Sequence, residues 1–168
     1  MRQALDLEHW AAFPDSFERV VRRLGDVAAG RLGRAPSTVL VLSGDVHHSY
    51  VAPVRFPDDP AARSPVVQVV SSPLRNALPS AVRRGFRAAA SRPARVLGRA
   101  LARSAGLRPP SVDWDLRTGP LTGNGLGRLV LDGRSARLSL HAARLRDERA
   151  VLEQVHAEQV GPGPAGRR

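Results

Sequence analysis

The chain has 168 residues, no cysteine, and 26 basic against 15 acidic residues, which gives a formal net charge of +11 at pH 7. This length suits one domain with its own core, and the lack of cysteine excludes disulfides, zinc fingers and thiol catalysis. No stretch is long and apolar enough to span a bilayer, and the polar start carries no signal peptide. We therefore expect a cytoplasmic protein with no membrane partner.

The basic charge comes entirely from arginine, because lysine is absent, as is isoleucine. Lysine contacts phosphate well as a point charge, so selection for anion binding gives no reason to remove it. A GC-rich coding bias explains the composition more simply. The charge attracts polyanions whatever its origin, but by itself it is weak evidence of function.

The first part of the chain predicts a helix followed by two strands. Apolar residues three and four positions apart predict an amphipathic helix over Phe17–Val27, ended by Gly30. Residues 38–43 are rich in branched apolar side chains and predict a strand buried on both faces. Residues 53–65 contain four prolines and predict a loop, and Val66–Val70 predicts a second buried strand.

The last part of the chain predicts a hairpin, a helix and a tail. Apolar residues alternate with polar ones in the segments that flank Asp132-Gly133, which predicts a β-hairpin over about 129–140. We expect a short polar helix from about 146 to 158. Residues 161–168 are predicted to be disordered.

An arginine-rich segment separates these two parts. From Pro60 to Val112 the sequence has ten arginines and no acid, and residues 79–106 predict helix interrupted at Pro93. Such a run is most often a solvated face. The alternative is a basic, non-catalytic module that binds nucleic acid or an acidic partner through residues 75–108. Phe86 is its single aromatic residue, so we expect only non-specific binding of nucleic acid.

The most informative motif follows the first predicted strand. Gly44 ends the strand, and Asp45 and His47 follow at alternate positions, so their side chains can converge beyond the strand end. A carboxylate and an imidazole can ligate a metal ion, and strand ends are where α/β sheets place ligand sites. Turn capping by hydrogen bonds is the alternative. Two ligands also cannot hold a catalytic metal pair.

Other chemistries find little support in the sequence. Ser43 and Ser49 lack the glycine-flanked elbow of a nucleophilic serine. We expect His48 to support the motif or face solvent, and His9, His141 and His156 to be structural or exposed, since they have no partner at ligand spacing. No phosphate-binding loop or dinucleotide fingerprint is present.

Residues 43–50 resemble the final metal motif of the alkaline phosphatase D (PhoD-like) family, a branch of the calcineurin-like metallophosphoesterases. Three further segments resemble that family in order and spacing. They are Asp6–Trp10 with Phe13, Val67–Asn76, and Trp114 with Gly119-Pro120 and Asn124. Together the four segments extend from residue 5 to about residue 142.

The resemblance implies an α/β fold, namely part of a calcineurin-like β-sandwich with flanking helices that ends in a β-hairpin. Residues 1–160 would form the C-terminal part of such a domain, followed by the tail at 161–168.

The resemblance also implies hydrolysis of phosphate mono- or diesters at a two-metal site that binds Ca, Fe, Mn or Zn. Two cations would clamp the phosphoryl oxygens and activate a bound water. His47 would ligate one metal. Asp45, at a position where much of the superfamily has histidine, would contact the other. Arg75 and Asn76 would approach the substrate phosphate.

The earlier metal motifs of the family are missing from this sequence. Asp6 and Glu8 form an acid-x-acid pair, but without the glycine or histidine that those motifs require. Leu121-Thr122 stands where the family has aromatic residues. The chain thus resembles the C-terminal third of such an enzyme. We expect it to be inactive alone, with a separately encoded N-terminal half as a candidate partner.

Overall fold

The computed structural model describes residues 13–44, 47–74, 84–85, 88, 91–107 and 111–161. Within these ranges the chain is mixed α/β and dominated by two sheets. Its elements are α1 (Pro14–Ala28), β1 (Val39–Ser43), β2 (Ser49–Arg55), β3 (Val66–Val70), α2 (Arg92–Ser104), β4 (Asp113–Trp114), β5 (Thr118–Leu121), β6 (Gly125–Asp132), β7 (Ser135–Arg146) and β8 (Arg149–Val160).

The first sheet has the order β1-β3-β2-β4, and β5 also pairs with β2. β1 runs parallel to β3, with Leu40 opposite Val67, whereas β2 runs antiparallel to β3, with Val51 opposite Val69. β3 is therefore hydrogen-bonded on both sides, and four of its five residues are buried. This is the environment that its run of valines favours.

The second sheet is an antiparallel meander in the order β6-β7-β8. Gly133 and Arg134 form the two-residue loop between β6 and β7, and Gly133 has a φ of 56°. Asp147 and Glu148, with φ values of 49° and 61°, connect β7 to β8. In this second loop both residues have positive φ, which is the conformation of a type I′ turn, whose twist matches that of the strands.

The inner faces of the two sheets share one core. Val51, Val67 and Val69 of the first sheet pack with Leu138 and Leu140 of the second, and none of the five is more than 5% exposed. Ala136 and Val160 complete the buried cluster. The alternation of apolar residues along β7 thus buries one face of the second sheet.

The helix α1 confirms the amphipathic pattern predicted over Phe17–Val27, and it buries Val21, Gly25 and Ala28. A Cβ at Gly25 would lie 3.5 Å from atoms of Phe56 and Asp59, an ordinary van der Waals distance, so the helix packs against this loop. Arg31, just beyond the helix, pairs with Asp26 and Asp59. These contacts fix α1 beside the first sheet.

The helix predicted over 146–158 is wrong, because these residues belong to β7, its turn and β8. Residues 149–160 pair with β7 along its whole length. The segment is rich in good helix formers, but helix propensity is a weak prior that tertiary pairing overrides. β2 likewise extends to Arg55, into the loop predicted over 53–65.

One further expectation needs correction. Among the described strands β1 lies at the edge of the first sheet, and Leu42 is 59% exposed, so β1 is not buried on both faces. The helical stretch interrupted near Pro93 is confirmed where it is described, because residues 84, 85 and 88 are helical, Ser91 is not, and α2 begins at Arg92 with Pro93 in its first turn. The tail predicted at 161–168 lies outside the described residues from position 162 onward.

No helix in the described part of the chain is both long enough and apolar enough to cross a bilayer.

Shortening a side chain in the shared core should cost much of the stability of the fold. Leu138 is 1% exposed, and we expect Leu138→Ala to lower the free energy of unfolding by about 2–5 kcal/mol, because it leaves a cavity. Leu145→Ala is the matched control, because Leu145 is 79% exposed near the β7–β8 turn. Urea unfolding measures both, and equal losses would contradict a core shared by the two sheets.

Asp113 joins three elements, and its contribution should depend on pH. Its carboxylate accepts hydrogen bonds from Arg55 at 2.9 Å and from Arg99 at 2.7 Å. The hydrogen bond from Arg55, with the charges of both arginines, lowers the pKa of Asp113. Such a carboxyl stabilises the fold above its unfolded pKa, and this contribution is lost as the pH falls through its folded pKa.

We therefore expect Asp113→Asn to lower the free energy of unfolding by at most about 1 kcal/mol near neutral pH, since exposed ion pairs are weak. The difference from the unaltered protein should shrink in acid, as the pH falls through the lowered pKa of the Asp113 carboxyl. Asp132→Asn, at an exposed strand end, is the control. Urea unfolding at neutral and at acid pH checks this, and a difference that persists unchanged in acid would refute the ion-pair explanation.

Candidate functional site

The predicted metal motif lies at an edge of the first sheet where three strands meet. Because β1 and β3 are parallel, their carboxyl ends share this edge, and the antiparallel β2 begins there. The amide of Ser71 donates to the carbonyl of Ser43 at 3.1 Å, which joins the turn after β3 to the end of β1. Ligand sites of α/β sheets occur at such carboxyl ends.

After β1, the described residues of the motif are Gly44 and His47–Tyr50, and the last two of them begin β2. A Cβ at Gly44 would lie 3.3 Å from the carbonyl oxygen of Ser71, so a larger residue would crowd the neighbouring turn. His47 is exposed and has a φ of 53°, an uncommon conformation for a residue other than glycine. The His48 ring stacks on Tyr50 with centroids 5.4 Å apart. Burial raises the pKa of Tyr50.

A pair of buried serines fixes the start of β2. The Ser49 hydroxyl donates to the Ser72 carbonyl at 2.9 Å and accepts from the Ser72 amide at 3.0 Å. Both residues are less than 9% exposed. The Ser49 hydroxyl therefore bonds in both directions to structural partners, which agrees with the prediction that it is not a nucleophile.

The segment before β6 closes over the same edge. Gly119 has a φ of 101°, and a Cβ there would lie 2.6 Å from the Ser49 carbonyl oxygen and 2.8 Å from Cβ of Tyr50. The amide of Gly125 donates to the Pro73 carbonyl at 2.9 Å. Asn124 Oδ1 is buried and has no hydrogen-bond partner within the described part of the chain.

The described residues contain one member of the predicted site, His47. Asp45, Arg75 and Asn76 lie outside them, as does the segment at 6–10, so the convergence of Asp45 with His47 stays a prediction. Within the described ranges, no group of three or more His, Cys, Asp or Glu residues is placed to hold a metal ion. These residues therefore do not make a metal site by themselves.

A partly buried polar cluster that the sequence did not predict joins the two sheets. His156 Nδ1 is 2.8 Å from the Thr118 hydroxyl, and Arg117 donates to Glu158 Oε2 at 2.6 Å. His156 Nε2 and Glu158 Oε1 lie 3.7 Å apart, and neither buried atom has a hydrogen-bond partner among the described residues. The cluster ties β8 to the segment that begins at Arg117.

Had residues 149–160 been interpreted as a strand, the sequence would have indicated this cluster. In a strand, residues two positions apart share a face, so His156 and Glu158 lie on the side of β8 that faces the core. In the expected helix they would point in directions about 200° apart. His141, by contrast, contacts the Ser139 hydroxyl at 3.1 Å, which agrees with the structural role expected for it.

Comparisons of this chain with protein-family models, with curated proteins and with solved structures found no match.

Replacing Gly119 should disturb the edge that carries the motif. We expect Gly119→Ala to lower the free energy of unfolding by about 1–3 kcal/mol or more. A left-handed φ strains alanine, and the added Cβ would overlap the backbone of β2. Gly123→Ala is the matched control, since its Cβ would meet no atom within 4 Å. Thermal or urea unfolding checks this, and two neutral substitutions would refute the close approach at Gly119.

Proposed function

We propose that this chain is the C-terminal part of a PhoD-like metallophosphoesterase, with a partial calcineurin-like sandwich as its fold. His47 serves as a metal ligand of that enzyme. The supporting observation is spatial. Described residues from three of the four segments on which the resemblance rests meet at one sheet edge, namely Ser43 with Ser49, the turn at 71–74 and the segment at 119–125.

The open edge of β1 supports the idea that part of the fold lies elsewhere. β1 pairs with β3 on one side and ends the described sheet on the other. Its sequence, Val-Leu-Val-Leu, is typical of a strand covered on both faces, yet Leu42 is 59% exposed. Exposed edges of this kind invite pairing with another strand. A further strand paired with the open side of β1 would lie next to His47.

The metal ions of the proposed enzyme would polarise the phosphate ester and activate water. Within the described residues no group of three or more potential ligands is present, so the proposed enzyme needs ligands beyond them, among them the earlier motifs of the family. This chain would contribute His47 and, by resemblance, Asp45. Arg75 and Asn76 would bind the phosphate, for which an arginine fork suits the oxygen geometry.

The surrounding contacts would hold His47 in position. Ser49 is locked to Ser72, and the close approach of Gly119 fixes the backbone of Tyr50. The turn that contains His47 is therefore anchored at its carboxyl end, while its own side chain stays exposed. A side chain that ligates a metal must be held precisely and yet remain accessible to the metal, and His47 meets both conditions.

The proposal predicts that activity needs both halves of the enzyme. The chain alone, supplied with Ca²⁺, Mn²⁺, Zn²⁺ or iron, should hydrolyse p-nitrophenyl phosphate and bis-p-nitrophenyl phosphate no faster than the metal alone. Co-expression with the upstream reading frame should produce a complex with activity, because the missing ligands are then present. His47→Ala should return that activity to background, whereas His141→Ala should retain it.

Each of two results would contradict one part of this proposal, the fragment or the function. Robust hydrolysis by the chain alone, abolished by His47→Ala, would show that the site is complete without further motifs. A stable complex of the two halves with no metal-dependent activity would remove the case for a phosphoesterase altogether.

A further inference from the structure

The helix α2 is well formed but presents its apolar side to solvent. Ser91 caps its first turn by accepting a hydrogen bond from the Ala94 amide at 3.4 Å, and Pro93 lies at the start. The helix ends before Gly106, which has a φ of 70°. Val96, Leu97 and Leu101 are 69%, 60% and 60% exposed.

The other side of α2 is basic. The helix carries four arginines and no acid, and by the helical repeat Arg99 and Arg103 lie roughly opposite Leu97 and Leu101. Arg99 pairs with Asp113, which attaches α2 to the first sheet through β4. The apolar side is thus not turned inward by this attachment, since Leu97 and Leu101 stay exposed.

We propose that α2 is an interfacial helix that binds an anionic bilayer surface. A helix of this kind buries its apolar side at the boundary between headgroups and acyl chains, while its arginines contact anionic headgroups. The sequence around α2 suits an extended anionic surface, because Pro60–Val112 has ten arginines and no acid. Lying in the interface does not require the length that spanning does.

Other partners would contact only one of the two sides of α2. Nucleic acid would contact the arginines but leave Leu97 and Leu101 in water, and this surface has no aromatic residue for base stacking. A second copy packed against the apolar side would cover Leu97 and Leu101 but would not contact the arginines, which lie on the opposite side of the helix. A bilayer with anionic lipid accommodates both sides of the helix.

The test uses co-sedimentation with phosphatidylcholine vesicles, with and without phosphatidylglycerol. We expect binding to the anionic vesicles that added salt weakens, and little binding to neutral vesicles. Leu97→Ser with Leu101→Ser should weaken binding at least about 10-fold, because the buried apolar area is lost. Leu145→Ser with Leu152→Ser, at exposed positions of the β7–β8 hairpin, is the matched control and should retain binding.

The absence of cysteine permits a second readout that does not depend on the leucines. An environment-sensitive fluorophore on Ala100→Cys, on the apolar side of α2, should shift to the blue with anionic vesicles. The same label on Ala150→Cys, beside the β7–β8 turn, should not. Circular dichroism of each variant verifies the fold.

Three outcomes would overturn the proposal. Equal vesicle binding by the Leu97→Ser/Leu101→Ser variant would show that charge alone is responsible. Tighter, steeply salt-dependent binding of duplex DNA, with no shift of the Ala100→Cys label on vesicles, would assign the helix to nucleic acid. Self-association in sedimentation equilibrium, with the label shifted in the absence of lipid, would assign it to a second copy. Because the phosphatase assay does not involve α2, either proposal can fail without the other.

Discussion

The position of β3 at the centre of the first sheet is the constraint on which the rest of the architecture depends. It is paired on both sides, parallel to β1 and antiparallel to β2, and its valines contribute to the core with Leu138 and Leu140. The parallel pairing brings the ends of β1 and β3 to the same edge. The antiparallel pairing starts β2 there, so residues far apart in sequence meet around Gly44–Tyr50.

The same arrangement leaves the strand that carries the motif at the margin of the sheet. β1 has the composition of an interior strand but the exposure of an edge strand. Natural edges are usually blunted by charge, proline or a bulge, and the sequence of β1 offers none of these. The mismatch between composition and environment is a physical argument for a neighbour of β1 beyond the described residues, and it does not depend on any resemblance of sequence.

The sequence predicted the elements whose local pattern agrees with their tertiary environment. The helical spacing from Phe17 to Val27, the valines of β3 and the glycine turn at 133 all point to the structure that forms. In residues 149–160 the local pattern and the tertiary environment disagree, because pairing with β7 overrides their helix-forming composition. That error also hid the cluster of His156 and Glu158, since a strand places them on one face and a helix does not. The geometry of Asp45 with His47 was inferred from alternation alone and stays a prediction.

The arginine content illustrates how composition and structure carry different weight. A coding bias replaces lysine with arginine throughout a chain, so a net charge of +11 says little about selection. Such a bias does not decide whether the leucines of a helix face the core or the solvent. In α2 the large apolar side chains are exposed, with arginines roughly opposite them on the same helix. Exposed leucine lowers stability and invites aggregation unless a partner covers it. The cost of keeping this surface open, rather than the charge beside it, is the reason to expect a partner there.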